Sequence, residues 1–245
     1  MKRERLDKVL VDREFFASRE QAQRAVMAGE VRVGEQVAAK PSLLVDPTGE
    51  ISAQAPPRFV GRGGLKLEGA LEHFHLDVRD AVAVDLGAST GGFTDCLLQR
   101  GAKKVYAIDV GHGQLAWKIR QDPRVVVHEK TNARTMSPDL VPEPAQLCVI
   151  DVSFISLTLI LPNAFALVIP SGIVLALIKP QFELDRADVG RGGIVRDSAL
   201  HEKAQAKIVS VVNGLGHEVV GLAPSPITGT DGNQEFFICA RKLSA

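Results

Sequence analysis

The chain has 245 residues, with 29 Lys+Arg against 29 Asp+Glu, 45% hydrophobic residues and 24% charged ones. That balance excludes wholesale disorder, a collagen-like repeat and a disulfide scaffold, and the length admits one large domain plus a small appendage. The zero net charge gives no sign by itself of a nucleic-acid partner. Residues 1–60 read as a separate small unit. Leu6, Val9, Leu10 and Arg13 follow helical spacing, and Phe15-Phe16 close that helix. Ser18 with Gln21 three residues on forms a capping box for a second helix through Ala22, Ala25 and Val26, which stops at Gly29. Val31–Val33 and Gln36-Val37 flank Gly34-Glu35 as a hairpin. Pro41, Pro47-Thr-Gly and Pro56-Pro57 punctuate the rest of this unit, and the linker is placed at about residues 55–62.

From Ala81 onward short apolar runs alternate with helical stretches. Strands are expected over residues 81–86, 105–109, 125–128, 147–152, 172–178, 218–222 and 235–240, and helices over 93–100, 114–121, 157–168 and 199–215. Such alternation implies a parallel sheet covered on both faces. The last two strands lack a helix between them, so an antiparallel edge pair is expected. Residues 154–178 are uncharged and long enough to raise the question of a membrane span. Pro162, Asn163, Pro170 and Gly172 interrupt the run, so a helix, a turn and a buried strand are expected there, with no membrane contact. Cys96, Cys148 and Cys239 are far apart and have no ligand spacing. They imply reduced core thiols, no metal centre and, with no signal peptide at the N-terminus, a cytoplasmic protein. His128, His201 and His217 are scattered and form no ligand set.

The strongest local signal runs from Val84 to Asp95. A strand ends on Asp85, the glycine-rich turn Gly87-Ala88-Ser89-Thr90-Gly91-Gly92 comes next, and Phe93 opens a helix. Glycines in that context let backbone approach a ligand. The pattern is neither a dinucleotide fingerprint nor a Walker loop. Asp109, 24 residues beyond Asp85, ends the next strand, where an acid can hold both hydroxyls of a ribose. Together these suit an adenosine-containing ligand without pyrophosphate, with S-adenosyl-L-methionine the candidate; the alternative is a structural turn and an ordinary exposed Asp109. Asn132, after the third strand, is a candidate for facing adenine. Trp117 is expected in the core or the cofactor wall rather than as an RNA platform.

Four further motifs bracket this signal: Gly61-Arg-Gly-Gly-Leu-Lys-Leu before it, Asp151-Val-Ser-Phe-Ile-Ser-Leu after it, then Lys179-Pro-Gln-Phe-Glu and Gly232-Asn-Gln-Glu-Phe. Their order resembles the TlyA-type family, ribosomal-RNA ribose 2′-O-methyltransferases historically called haemolysins and related to the FtsJ-type methyltransferases. The resemblance covers essentially the whole chain. It implies an α/β, Rossmann-like class I methyltransferase domain over residues 63–245, with a mostly parallel seven-stranded sheet and an antiparallel last strand. Residues 1–60 would then be a small α+β RNA-binding domain of the ribosomal-protein-S-four type. The implied activity is transfer of a methyl group from S-adenosyl-L-methionine to a ribose 2′-oxygen, cytidine being expected, with ribosomal RNA or ribosomal subunits as partner.

The family's Lys-Asp-Lys-Glu catalytic set maps by motif onto Lys66, Asp151, Lys179 and Glu235. Independently, Asp151 and Lys179 end expected strands and Glu235 opens one. The C-terminal edge of a parallel sheet is where such folds bind ligands. Lys179 comes after an apolar strand, a costly place for an unpartnered cation. The expected mechanism has Lys179 as general base, with a pKa depressed by burial and by Lys66, in-line methyl transfer, and the two acids orienting the lysines. No metal is required.

RNA attachment is assigned mainly to Arg3, Arg5, Lys8, Arg19 and Arg24 on the small unit, accompanied by Lys2, Arg13 and Arg32. Arg58 and Arg62 carry positive charge across the linker. Arg191 and Arg196 sit in a glycine-rich loop from which they could contact phosphates. Residues 1–66 hold 12 Lys+Arg and 9 Asp+Glu, leaving 17 and 20 for residues 67–245, so opposite excesses of three cancel. Competing readings are a non-catalytic RNA-binding or ribosome-associated protein and a membrane-active haemolysin. An intact Lys-Asp-Lys-Glu set argues against the first, and the prolines of 154–178 against the second.

Overall fold

The computed structural model describes residues 3–53, 57–190 and 192–244. Lys2, Arg191 and the first two residues of the expected linker lie outside the described residues. The chain divides into two compact units, Met1–Arg58 and Phe59–Ala245.

In the first unit β1 (Glu4–Arg5) leads into α1 (Leu6–Asp12) and α2 (Arg19–Met27), followed by β2 (Val31–Val33), β3 (Gln36–Val37), β4 (Leu44–Val45) and β5 (Ile51–Ala53). β1 pairs with β4, and β3-β2-β5 form a three-stranded sheet. Leu6, Leu10, Ala22, Val26 and Val31 close the core between helices and sheet. Ser18 caps α2 by accepting from the Gln21 N–H at 3.3 Å. The Gln21 side chain reaches back to the N–H of Ala17 at 3.2 Å, one residue ahead of the expected partner. Asp7 is wholly buried and joins the helices, accepting from Arg5, from Arg19 at 3.0 Å and from Gln23 at 2.7 Å. The Arg5 hydrogen bond does most to hold its carboxyl far below the usual range.

The second unit is built on a seven-stranded sheet ordered β11-β12-β10-β9-β6-β7-β8. Its elements are α3 (Gly63–His73), β6 (Val82–Leu86), α4 (Gly92–Gln99), β7 (Lys104–Ile108), α5 (Trp117–Arg120), β8 (Val125–His128) and β9 (Ala145–Ile150). They continue with α6 (Leu161–Leu167), β10 (Val168–Ile178), α7 (Pro180–Glu183), α8 (Ser198–Gly214), β11 (Glu218–Pro224) and β12 (Phe236–Arg241). β10, β9, β6, β7 and β8 are mutually parallel, and β12 runs antiparallel to both β10 and β11. One face of the sheet packs Leu86, Ile150 and Ile178 against α6 and α8 residues such as Phe165 and Ile208. The other packs Ala107, Val149 and Phe237 against Leu71 of α3 and Leu97 of α4. β6 is buried throughout, and apolar except for the carboxyl of Asp85, because both faces of the sheet are covered.

The last two strands form the expected antiparallel pair at one edge of the sheet, with β12 inserted between β10 and β11 and β11 outermost. Phe237, Ile238, Cys239 and Ala240 are fully buried, as an interior strand requires, whereas β11 is mostly open to solvent. Three helical expectations change. α3 was not foreseen, α5 is confined to four residues, and the 157–168 helix divides into a 3₁₀ turn (Leu157–Leu159) and α6. The expected turn at Pro170-Ser171-Gly172 is a bulge within β10. Ser171 adopts φ 65° and donates its N–H to the Lys242 carbonyl, while the Lys242 N–H donates to Gly172, which keeps the segment on the sheet. Among the described residues no helix is long and apolar enough to cross a membrane. The three cysteines are buried and form no disulfide among the described residues.

Candidate active site

Sheet register places the acids and one of the lysines. Asp151 comes directly after β9 and Lys179 directly after β10, and these strands are parallel neighbours with Ala176 opposite Ile150. Glu235 precedes β12, whose Phe236 lies opposite Ile178. Lys66 comes from the first turns of α3. Two ion pairs result: Lys66 Nζ lies 2.6 Å from Glu235 Oε2, and Lys179 Nζ lies 2.6 Å from Asp151 Oδ1. Lys179 also donates to Ser153 Oγ at 2.8 Å. Both lysines and Glu235 are buried, so removing either partner of a pair would strand an uncompensated charge.

All four groups line a cavity of about 410 Å³. Its floor is the loop after β6: Gly87, Ala88, Ser89, Thr90, Gly92 and Phe93 all contribute to the lining. Gly87 has φ 89°, and a Cβ there would lie 2.4 Å from the carbonyl oxygen of Asp151. Only glycine lets the loop and the strand carrying Asp151 meet so closely. A similar approach explains the Gly61-Arg-Gly-Gly motif. A Cβ on Gly92 would fall 3.0 Å from Gly64 N and 3.2 Å from Gly61 O, so the two glycine segments touch through backbone. That contact carries Arg62 to the cavity wall, where it donates to the Thr228 carbonyl at 3.0 Å, and it sets the start of α3.

A second cavity, of about 520 Å³, is lined by Asp109, Gln114, Asn132 and Ile155. It shares Gly87, Ser89, Asp151, Ser153 and Phe154 with the first. Asp109 spans its loop: one oxygen accepts from the Ser89 N–H at 2.8 Å, the other from Gly111 at 2.6 Å. Those bonds leave further lone pairs for a diol. Asn132 reaches this cavity, although its carbonyl oxygen caps the Arg134 N–H. Of the expected cofactor residues, Asp85 and Gly91 line neither of these two cavities. Gly91 is packed on Leu115 beneath the loop.

Asp85 is completely buried, accepts from Thr94 Oγ1 at 2.6 Å and from the Thr94 backbone, and leaves Oδ1 without a partner. Burial, reinforced by the negative charges of Asp151 and Asp109, pushes its pKa up to about 7. A raised carboxyl pKa means the folded state holds a proton that the unfolded chain has released. Asp85→Asn is therefore expected to gain stability over the wild type by about 1.4 kcal/mol per pH unit between about pH 4 and 7, and to gain no more above that. Melting temperatures of both proteins across that window check it; a pH-independent difference would mean an ionised carboxylate throughout.

Several contributors were not singled out from sequence. Ser153 completes the Lys179 contact. Phe154 is 91% exposed at φ 63°, borders both cavities and leans on Phe182 with ring centroids 5.1 Å apart. Glu183, buried on α7, accepts from the Leu157 N–H at 2.7 Å and from Ser156, and so fixes the turn that carries Ser153 and Phe154. All three lie inside the motifs that begin at Asp151 and Lys179. Trp117, expected in the core or the cofactor wall, is 73% exposed instead, because Leu115 and Ile119 occupy the packed face of its segment. Of the basic residues of the first unit, Arg5 and Arg19 are tied to Asp7, Lys8 to Glu4 and Arg24 to Glu20, and Arg3 is exposed. Among the described residues no His/Cys/Asp/Glu group could hold a metal ion.

A parallel sheet with an inserted antiparallel strand, a glycine loop after its first strand and two abutting cavities at its C-terminal edge define a class I methyltransferase. The family model for FtsJ-like methyltransferases matches residues 59–242, and that for the S4 domain matches residues 4–51. The chain is 42% identical over 242 residues to the 16S/23S rRNA (cytidine-2′-O)-methyltransferase TlyA of Mycobacterium tuberculosis, covering 98% of this chain and 90% of that protein. It is 43% identical over 234 residues to Hemolysin A of Brachyspira hyodysenteriae, covering 95% and 97%. A solved structure from Streptococcus thermophilus, which carries a hemolysin name, superposes with a TM-score of 0.75 at 45% identity over 100% of this chain and 90% of that one. The chain belongs to the FtsJ-like methyltransferase family and is of TlyA type, with an S4 domain ahead of the catalytic fold. It is an enzyme whose methyl donor is S-adenosyl-L-methionine.

Proposed function

We propose that this protein methylates ribose 2′-oxygens of ribosomal RNA, with cytidine as the target nucleoside. The observation that carries the reading is the double Lys–carboxylate cluster on the wall of a cavity floored by the glycine loop. Relatives named for cytidine-2′-O methylation of rRNA support the substrate. The second cavity fits the donor: it is large enough for a nucleoside, has the Asp109 carboxylate on its wall, and borders a loop kept open at Gly87. Asp109, Asn132 and the residues from Gly87 to Gly92 would hold the donor there, and bound S-adenosyl-L-methionine supplies a methyl group already activated for transfer.

The remaining chemistry belongs to the chain. Lys179 Nζ takes the proton of the 2′-hydroxyl as the oxygen becomes nucleophilic. Asp151 and Ser153 fix that nitrogen, and Glu235 fixes Lys66 on the opposite wall. Lys179 acts as the free amine in this step, and once it has accepted the proton two cations face two anions, which leaves the cluster near balance within a partly buried cavity. Phe154 offers an exposed face at the mouth on which the base of the target nucleotide can stack. Residues 1–60 act as the RNA-binding domain and residues 63–245 as the catalytic one, and the positive excess of the N-terminal portion makes attachment salt-sensitive.

Transfer of tritiated methyl to 30S and 50S particles, with subsequent mapping of the modified nucleotide, tests the reading. Label on a cytidine O2′ is expected; label on a base would overturn the chemistry. Arg3→Glu with Arg24→Glu is expected to weaken rRNA affinity roughly tenfold and to leave cofactor affinity unchanged, measured by filter binding and calorimetry. Arg5 and Arg19 are poorer probes, since reversing their charge would also break the Asp7 cluster that joins α1 and α2.

A further inference from the structure

The only tryptophan of the chain is also one of its most exposed apolar side chains. Trp117 opens α5, and its neighbours explain its direction. Leu115 and Ile119, both buried, pack beneath Gly91 of the cofactor loop. Two residues from each, Trp117 falls on the opposite, solvent side. The preceding residue, Ala116, donates its N–H to the carbonyl of Thr90 at 3.1 Å, and Thr90 lines the catalytic cavity. The indole is thus held one residue from a hydrogen bond to the site's own loop, yet it borders neither of the two cavities. Among the described residues it stacks on no other ring.

The surrounding charge favours a polyanion. Residues 109–134 carry five Lys/Arg and three Asp/Glu. All three acids are committed: Asp109 to backbone N–H groups, Asp122 to Arg124, and Glu129 to Arg120, His112 and the Gly113 N–H. Lys118 pairs with Asp95 at 3.0 Å, its side chain 59% exposed. Lys130 and Arg134, both exposed, come after β8 on the same edge of the sheet as Asp109 and Thr90 and enter no ion pair among the described residues. An exposed aromatic and exposed cations at the same end of the sheet are what single-stranded nucleic acid uses, one base on the ring and phosphates on the charges.

We propose that Trp117, with Lys130 and Arg134, is a second RNA-contact surface, on which a nucleotide outside the catalytic cavity stacks against the indole. The proposal rests on RNA being the substrate and adds where the strand runs beyond its target. It also places an RNA contact on the catalytic unit itself, in addition to those of the N-terminal unit.

The single tryptophan makes the test direct. Fluorescence of the full-length protein, excited at the red edge of its absorption, is recorded with acrylamide as quencher, in the presence of protein-free rRNA or of S-adenosylhomocysteine alone. Expected results are strong quenching of the free protein, shielding by rRNA, and no shielding by S-adenosylhomocysteine. Trp117→Ala is expected to weaken rRNA affinity roughly tenfold, with Trp117→Phe retaining most of it and cofactor affinity unchanged in both. Methyl transfer is measured in the same samples. Transfer that proceeds while rRNA leaves the indole open to acrylamide would overturn this surface and leave the proposed activity standing. Absence of any transfer to rRNA would overturn the activity itself. Shielding by S-adenosylhomocysteine alone would make Trp117 cofactor wall, and shielding that rises with protein concentration would make it a contact between copies; either result overturns the proposal.

Discussion

Lys179→Ala is expected to lower the methyl-transfer rate by roughly 10²–10⁴-fold at saturating cofactor, the range lost when a positioned proton acceptor is removed. Cofactor affinity should change little, because the side chain lies on the wall of the catalytic cavity and not of the second one. Lys179→Arg should be nearly as inactive: a guanidinium retains the charge beside Asp151 but does not give up its proton at workable pH. Single-turnover rates with calorimetric cofactor binding distinguish the two effects. Near-wild-type transfer by Lys179→Ala would remove the lysine from the chemistry and leave it as the counter-ion of Asp151.

Glu235→Ala should act first on the fold. It leaves the Lys66 ammonium buried without its carboxylate, a loss of about 3–5 kcal/mol. For a unit of this size that corresponds to a fall in Tm of roughly 10 °C. Transfer should fall with it, so stability alone cannot assign the role of the pair. The double variant Lys66→Met/Glu235→Ala separates the two. Removing both charges should restore much of the stability, since buried pairs can often be replaced by apolar groups at little cost. Methyl transfer should not return. If it did, the pair would be scaffold and only Lys179 and Asp151 would remain to carry the reaction.

The parts of this site that sequence made visible are those with a periodic or strand-end signature. Asp85, Asp109, Asp151 and Lys179 stand at the ends of apolar runs, and the parallel sheet delivers the C-terminal ends of those runs to one edge. The contributors left unmarked have no such signature. Ser153 acts through one side-chain hydrogen bond and Glu183 through two, all around a turn at φ 63°, and nothing in local composition announces that geometry. α3 went unforeseen for a related reason. Gly61, Gly63 and Gly64 argue locally for a loop, and their purpose, backbone contact with Gly92, lies in a segment nearly thirty residues away. Trp117 is different. The i, i+4 spacing of Leu115 and Ile119 already assigns the packed face, and a residue midway between them belongs outside. There the spacing is informative, and the apolar character of tryptophan misleads.

The position of β12 has a consequence for how the enzyme comes into being. Glu235 opens a strand that slides between two strands made earlier, and its neighbour Phe236 pairs with Ile178 beside Lys179. A nascent chain that has reached α8 already possesses the glycine loop, Asp109, Lys66, Asp151 and Lys179. It still lacks the carboxylate that neutralises Lys66 and the strand that closes the sheet. The carboxylate beside Lys66 is thus the last member of the cluster to be synthesised, and it arrives with the strand that completes the sheet.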